Sequence, residues 1–308
     1  MIMQKIPGIS PHGDKWKSLP CKVKCNVVKQ VAAHLAILFS QRFEQAGSLY
    51  FAGDGDLTHF KVGPIVSLPF YRMIDGVVEH PDMPLDVRET LDCPRGPYKS
   101  TSDYLASHLR AELLKMDRFR SATLSSICSD DAVPIFEKAQ EVMRLAVELC
   151  DSYPGDRAIP PNINTPNRSY TFMLDDFRLA NILIDENTGH VNGYVNFEAT
   201  TLVPLWQSAT VPQWIPDPDG DMAGWYGGTP EDQKELWSTF HTTMDHLDHG
   251  LTGGEWRRAY EAGKHFRDFA DRIHMGIPYW AKEMEDRVKD RMEWAQQHPG
   301  VGMPDKDW

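Results

Sequence analysis

The chain has 308 residues, of which 41% are hydrophobic and 25% charged, with 22 Gly and 22 Pro. That composition excludes a disordered tail, a collagenous repeat and a disulfide knot. The 32 Lys and Arg against 44 Asp and Glu leave a formal charge of −12, so neither nucleic acid nor an anionic membrane surface is an expected partner. The longest apolar run, Val31 to Phe39, is interrupted by His34 and falls far short of the roughly 20 residues that span a bilayer. The first eight residues carry no basic segment followed by an apolar one, and the five cysteines are too scattered for a disulfide framework. The expectation is an intracellular, cytoplasmic protein.

From Val23 to Ala46 the residues Val27, Val28, Val31, Leu35, Leu38, Phe39 and Phe43 recur at helical spacing, and Gly47 is placed to stop the run as a C-terminal cap. Two strand-like runs follow, Ser48–Phe51 and His59–Val62, around the turn-rich Gly53–Asp56. Residues 64–96 read as irregular and proline-rich. Ser100, Thr101 and Ser102 are cap candidates for a helix carrying Tyr104, Leu105, Leu109, Leu113 and Leu114. A further helix begins near Pro134 and runs to Leu149, and the prolines of 159–166 then break helix formation. Short β-type segments come next, at Tyr170–Leu174, Ile182–Ile184 and Tyr194–Val195, with Asp185–Gly189 as a hairpin turn. After a long aromatic loop the chain reads as two or three helices from Thr229 onward. This order predicts an α+β fold, mainly helical, and excludes a doubly wound sheet.

The chemistry concentrates in Leu174-Asp-Asp-Phe-Arg-Leu-Ala-Asn181-Ile-Leu-Ile-Asp185 and, one turn later, Val195-Asn-Phe-Glu198. These residues resemble the catalytic segments of the aminoglycoside phosphotransferase and choline kinase-like family, in its large fungal branch, which has the protein-kinase-like fold. Gly47–Tyr50, Val62–Val66, Arg95–Tyr98 and the stretch holding Pro204, Trp206 and Pro212 look like the family's linking elements. The resemblance implies the large (C-terminal) lobe of that fold over residues 1–308, with a small β-hairpin at the site and residues 1–10 as a remnant of the interlobe hinge. It puts the catalytic Asp on Asp176, the metal-binding Asn on Asn181, and the closing Asp-Trp-Glu on Asn196, Phe197 and Glu198.

Phosphoryl transfer relies on positioning and charge neutralisation, with a carboxylate for the acceptor hydroxyl and an Asn plus a second carboxylate holding Mg²⁺. Here Asn196 supplies a neutral amide where the family has that second carboxylate, and Leu174 stands at the loop-His position. Residues 1–60 contain no Gly-x-Gly-x-x-Gly, so the nucleotide-binding lobe is expected to be missing and no cofactor or metal is expected. Asp176, Asn181 and Asn196 are then the catalytic candidates. Trp214, Trp225 and Tyr226, on the loop 212–226, would wall a pocket, with Glu198 beside them.

The function this implies is an enzyme acting without ATP on an apolar small molecule, by cyclisation, isomerisation or a pericyclic step. The alternatives are an ATP-dependent phosphotransferase, which alone needs Mg-ATP, and a non-catalytic pseudokinase-like binding protein. Elsewhere, His241, Asp245 and His249 at helical spacing read as a solvated helix face. Cys21 and Cys25, one turn apart with no second pair, read as buried or incidental thiols.

Overall fold

The computed structural model describes residues 5–53, 56–66, 95–156, 168–174, 176–197, 200–215, 217–220 and 229–304. Most of the proline-rich segment 64–96, the loop 159–166, part of the turn at Gly53–Asp56, and the candidates Glu198, Trp225 and Tyr226 lie outside those residues. The fold is α+β and mainly helical, with two-stranded antiparallel sheets, as the order of elements predicted. No helix among the described residues is long and apolar enough to cross a membrane. The chain divides into two compact units, the first made of Met1–Gln41, Leu174–Ala199 and Ala209–Arg257, the second of Arg42–Met173, Thr200–Ser208 and Arg258–Trp308.

In the first unit α1 (Asp14–Ser18) leads into α2 (Cys21–Ser40), which Pro20 precedes. Val23, Val27, Val28, Val31, Ala32, Ala36 and Phe39 form the buried stripe of α2, each at the three- or four-residue spacing that puts side chains on one helix face. Helix α2 packs against α7 (Pro230–Thr252). Thr229 caps that helix by accepting the Asp232 N–H at 3.1 Å, with Pro230 in its first turn.

Strands β4 (Ile182–Ile184) and β5 (Val191–Tyr194) form the expected antiparallel hairpin. Its turn is built by Asp185, whose Oδ1 accepts the Asn187 and Thr188 N–H groups and the Thr188 hydroxyl at 2.9–3.0 Å. Gly189 has φ of 70°, and a Cβ there would lie 2.3 Å from the Val23 carbonyl oxygen, so the turn presses directly on α2. Gln30 fastens the hairpin to the same helix, donating to Gly189 O and accepting from Val191 N, both at 3.0 Å. Along the other edge, Ile9 and Ile184 exchange backbone hydrogen bonds of 2.9 Å.

The second unit holds α3 (Thr101–Arg118), α4 (Arg120–Ser126), α5 (Ala132–Ser152), α6 (Leu205–Ser208) and α9 (Ile277–Gln297), with most of α8 (Glu255–Arg272). Ser100 caps α3 through the Asp103 N–H at 3.0 Å, in keeping with the cap signal. Helix α5 packs against both α3 and α9 through Phe136, Ala139, Val142, Met143, Ala146 and Leu149, all buried. Trp206, Tyr153, Phe266 and Phe269 make a second aromatic core.

Strands β1 (Ser48–Gly53) and β2 (Asp56–Gly63) pair antiparallel, as do β3 (Tyr170–Met173) and β6 (Thr201–Pro204). Strand β6 lies where the sequence indicated only loop. Another expectation fails at the end of α2, which stops at Ser40 instead of continuing to Ala46. Residues beyond it enter strand-like bridges: Phe43 exchanges backbone hydrogen bonds with Tyr170, and Gly47 with Leu202. Gly47 is therefore no helix cap. It passes so close to β2 that a Cβ would lie 2.3 Å from the Gly63 carbonyl oxygen.

Candidate functional site

The site grows from the loop between Leu174 and β4. Asp176 and Asn196 are the non-glycine residues with positive φ among those described, at 52° and 72°. The left-handed region costs an ordinary L-residue roughly 1–2 kcal/mol, least for Asn and Asp, so both turns need support from their surroundings.

For Asp176 that support is Asn181. Its Nδ2 donates to the Asp176 carbonyl oxygen at 2.9 Å, its own N–H donates to Arg178 O at 2.9 Å, and its carbonyl accepts the Val195 N–H at 3.0 Å. Asn181 is 9% exposed and ends the single 3-10 turn Leu179–Asn181. Ser10 holds the same turn, its hydroxyl within 3.0–3.2 Å of the Ala180 and Leu179 carbonyl oxygens. Because the Val195 N–H reaches Asn181, the exposed Asn196 follows within one residue of the clamp. The structure thus brings Asp176, Asn181 and Asn196 into one loop cluster. Nδ2 is committed to the Asp176 carbonyl, and the acceptor group of the Asn181 side chain is its Oδ1.

The Asp176 carboxylate is exposed and meets Arg178 Nη2 at 3.0 Å. Exposed pairs of this kind are worth at most about 1 kcal/mol, so a ligand can displace the guanidinium at little cost.

An aromatic group adjoins the cluster that the sequence reading did not single out. The Tyr194 ring lies 5.8 Å from Phe177, 6.4 Å from Phe197 and 5.5 Å from His34. Tyr194 Oη and His34 Nδ1 are 2.6 Å apart. Burial pushes the Tyr194 phenol well up, and burial, with a contribution from His190, pushes the His34 imidazole down, so the pair is neutral at pH 7. Phe197 stays 49% exposed and Val195 39%, which leaves apolar surface next to Asn196. In the sequence Phe177, Tyr194 and Phe197 stand 17 and 3 residues apart, and no local pattern marks them as a group; they meet through the β4–β5 hairpin.

Trp214 packs on Trp16. Its ring meets Trp16 edge-on at 5.5 Å, and the indole N–H groups of both are buried with no hydrogen-bond partner among the described residues. Glu198, Trp225 and Tyr226 lie outside the described residues. His241 packs among Trp237, Phe240 and Trp256, and Asp245 pairs with Arg257. These two residues of the expected solvated helix face thus meet protein neighbours.

For metal binding, the loop cluster presents two amides and the Asp176 carboxylate. A different set of ligand types, Cys21, Cys25 and Glu235, comes together between α2 and α7. No protein-family model, no curated protein and no solved structure matches this chain.

Proposed function

We propose that this chain is a degenerate relative of the aminoglycoside phosphotransferases and choline kinases, built on a kinase-like large lobe, and that it converts an apolar small molecule without ATP. One observation carries the reading: an exposed carboxylate and an exposed amide, both on left-handed turns and tied together through Asn181, adjoin the ring cluster of Phe177, Tyr194 and Phe197. Asp176 would take or return a proton at the substrate, Asn196 and the Asn181 Oδ1 would orient polar groups, and the rings would hold its apolar body. Substrate alignment and one proton transfer suffice for a cyclisation or isomerisation. A neutral amide at Asn196 removes a full charge from the place where Mg²⁺ would sit in a phosphotransferase, which disfavours a hard dication.

The Asp176-to-Asn181 spacing by itself favours the second reading, a phosphotransferase using Mg-ATP. Calorimetry with millimolar Mg-ATP separates the two, and no heat is expected. A panel of polyene and aromatic alcohols, followed by mass spectrometry, should yield a product of unchanged mass, and Asp176→Asn should abolish its formation. Consumption of ATP that Asp176→Asn removes would establish the second reading and overturn the first.

A further inference from the structure

Helix α2 begins with two thiols on one face. Cys21 and Cys25 are separated by four residues, so their side chains stack one turn apart, and their sulfurs are 3.8 Å from each other. Helix α7 brings Glu235 opposite them, its Oε2 3.4 Å from the Cys21 sulfur. Both helices belong to the first unit, and their packing is a main contact of it.

These separations match the edges of a small tetrahedron. A tetrahedral zinc ion with Zn–S near about 2.3 Å and Zn–O near about 2.0–2.2 Å requires about 3.8 Å between two sulfurs and about 3.5 Å between sulfur and oxygen. The Cys21 edges already have those lengths, and all three ligand atoms lie within 4.8 Å of one another. The last edge, between Cys25 and Glu235, is bounded by the same 4.8 Å, and Glu235 is exposed.

We propose that Cys21, Cys25 and Glu235 form a binding site for one zinc-type divalent cation, with solvent in the fourth position. Two thiolates and one carboxylate suit a borderline-soft ion and disfavour Mg²⁺ and Ca²⁺, which take oxygen ligands. On binding, two S–metal bonds form and each thiol releases its proton to solvent, so the dication sits among three negative ligands. Asp232 also reaches Cys21, but its carboxylate is engaged by the buried Lys24 at 3.1 Å. It therefore holds the neighbourhood in place and is left out of the ligand set. The ligands come from two packed helices, so the site is formed before the ion enters and no loop has to be ordered around it. The proposal is independent of the loop cluster at Asp176 and goes beyond the reading made for it.

The test uses the full chain, reduced with a phosphine, and Co²⁺ as a spectroscopic stand-in for Zn²⁺. One equivalent of Co²⁺ should produce a thiolate-to-metal charge-transfer band in the near ultraviolet together with tetrahedral d–d bands, and one equivalent of Zn²⁺ should remove both. Cys21→Ser combined with Cys25→Ser should abolish the bands, whereas Cys128→Ser should leave them intact. Glu235→Gln should keep the charge-transfer band and weaken Zn²⁺ at least tenfold. Absence of the band in the unsubstituted protein overturns the proposal, and that spectrum is read without relying on any variant to fold. Persistence of the bands in the double Cys variant, or unchanged Zn²⁺ affinity in Glu235→Gln, overturns it as well.

Discussion

Substituting Asn181 by Asp tests whether this side chain is a clamp on the Asp176 turn or a waiting metal ligand. The backbone of Asn181 is held at both ends, by Arg178 O and the Val195 N–H, so the substitution alters one bond alone: Nδ2 to the Asp176 carbonyl oxygen at 2.9 Å. Truncation to Ala removes one net hydrogen bond, about 1 kcal/mol, and the exposed Asp176 lets water reach the freed carbonyl, so Asn181→Ala should cost about 1–2 kcal/mol.

Asn181→Asp keeps the volume but turns the donor into an acceptor facing another acceptor at 9% exposure. The lost bond and the buried repulsion together should cost about 2–4 kcal/mol at neutral pH. The sign of its pH dependence follows. A protonated carboxyl can donate to the Asp176 carbonyl, so folding raises the pKa of the introduced carboxyl above its unfolded value. The penalty is then fully present above the folded pKa and disappears as the pH falls below the unfolded value of about 3.9. Urea unfolding of the unsubstituted protein and both variants at pH 7.5 and 4.5 measures this. Asn181→Asp should be the least stable at pH 7.5, and its gap from Asn181→Ala should shrink in acid. An Asn181→Asp protein as stable as the parent at pH 7.5, or one that Mg²⁺ restores, would refute the clamp and make Asn181 a metal ligand.

Asp248 is 2% exposed and accepts the N–H groups of Trp256 and Arg257 at 3.0 and 3.2 Å as well as the Thr252 hydroxyl. Asp248→Ala, which orphans these donors at the start of α8, should cost about 3–5 kcal/mol in urea unfolding, with Asp248→Asn recovering part of it. Burial, with a smaller contribution from His274, holds the His108 imidazole, which packs edge-on between Tyr104 and His274, well below its ordinary value. Below about pH 6.5 the unfolded chain takes up a proton that the folded His108 refuses, so stability should fall by up to about 1.4 kcal/mol per pH unit on acidification. Substituting His108→Phe should flatten that slope between pH 7 and 5.5. Phe197→Ser should weaken binding of an apolar ligand roughly tenfold, because burying a Phe side chain is worth about 1.5–3 kcal/mol, and a fluorescence titration would show it. Asn196→Asp should leave stability within about 0.5 kcal/mol, since Asp also tolerates the left-handed turn, and a calorimetric Mg²⁺ titration should detect gained affinity.

What was legible in the sequence is what neighbouring residues decide among themselves. The valine stripe of α2, the Ser100 cap and the Asp185 turn each follow from interactions within about four residues, and all were found where the pattern put them. Asp176, Asn181 and Asn196 lie 5 and 15 residues apart, beyond that local range, and the resemblance of their segments to a known family is what marked them as candidates. Tertiary structure decided the rest, because it depended on partners far along the chain. Phe43 reads as helical until Tyr170 offers its backbone, and β6 becomes a strand because β3 lies beside it. The Phe177–Tyr194–Phe197 rings meet only once β5 pairs with β4. Cys21 looks incidental until helix packing sets it against Glu235, 214 residues away. Local propensity distinguishes helix from strand by about a kilocalorie per residue or less, and a backbone bridge or a buried aromatic contact outweighs that once chain closure delivers it.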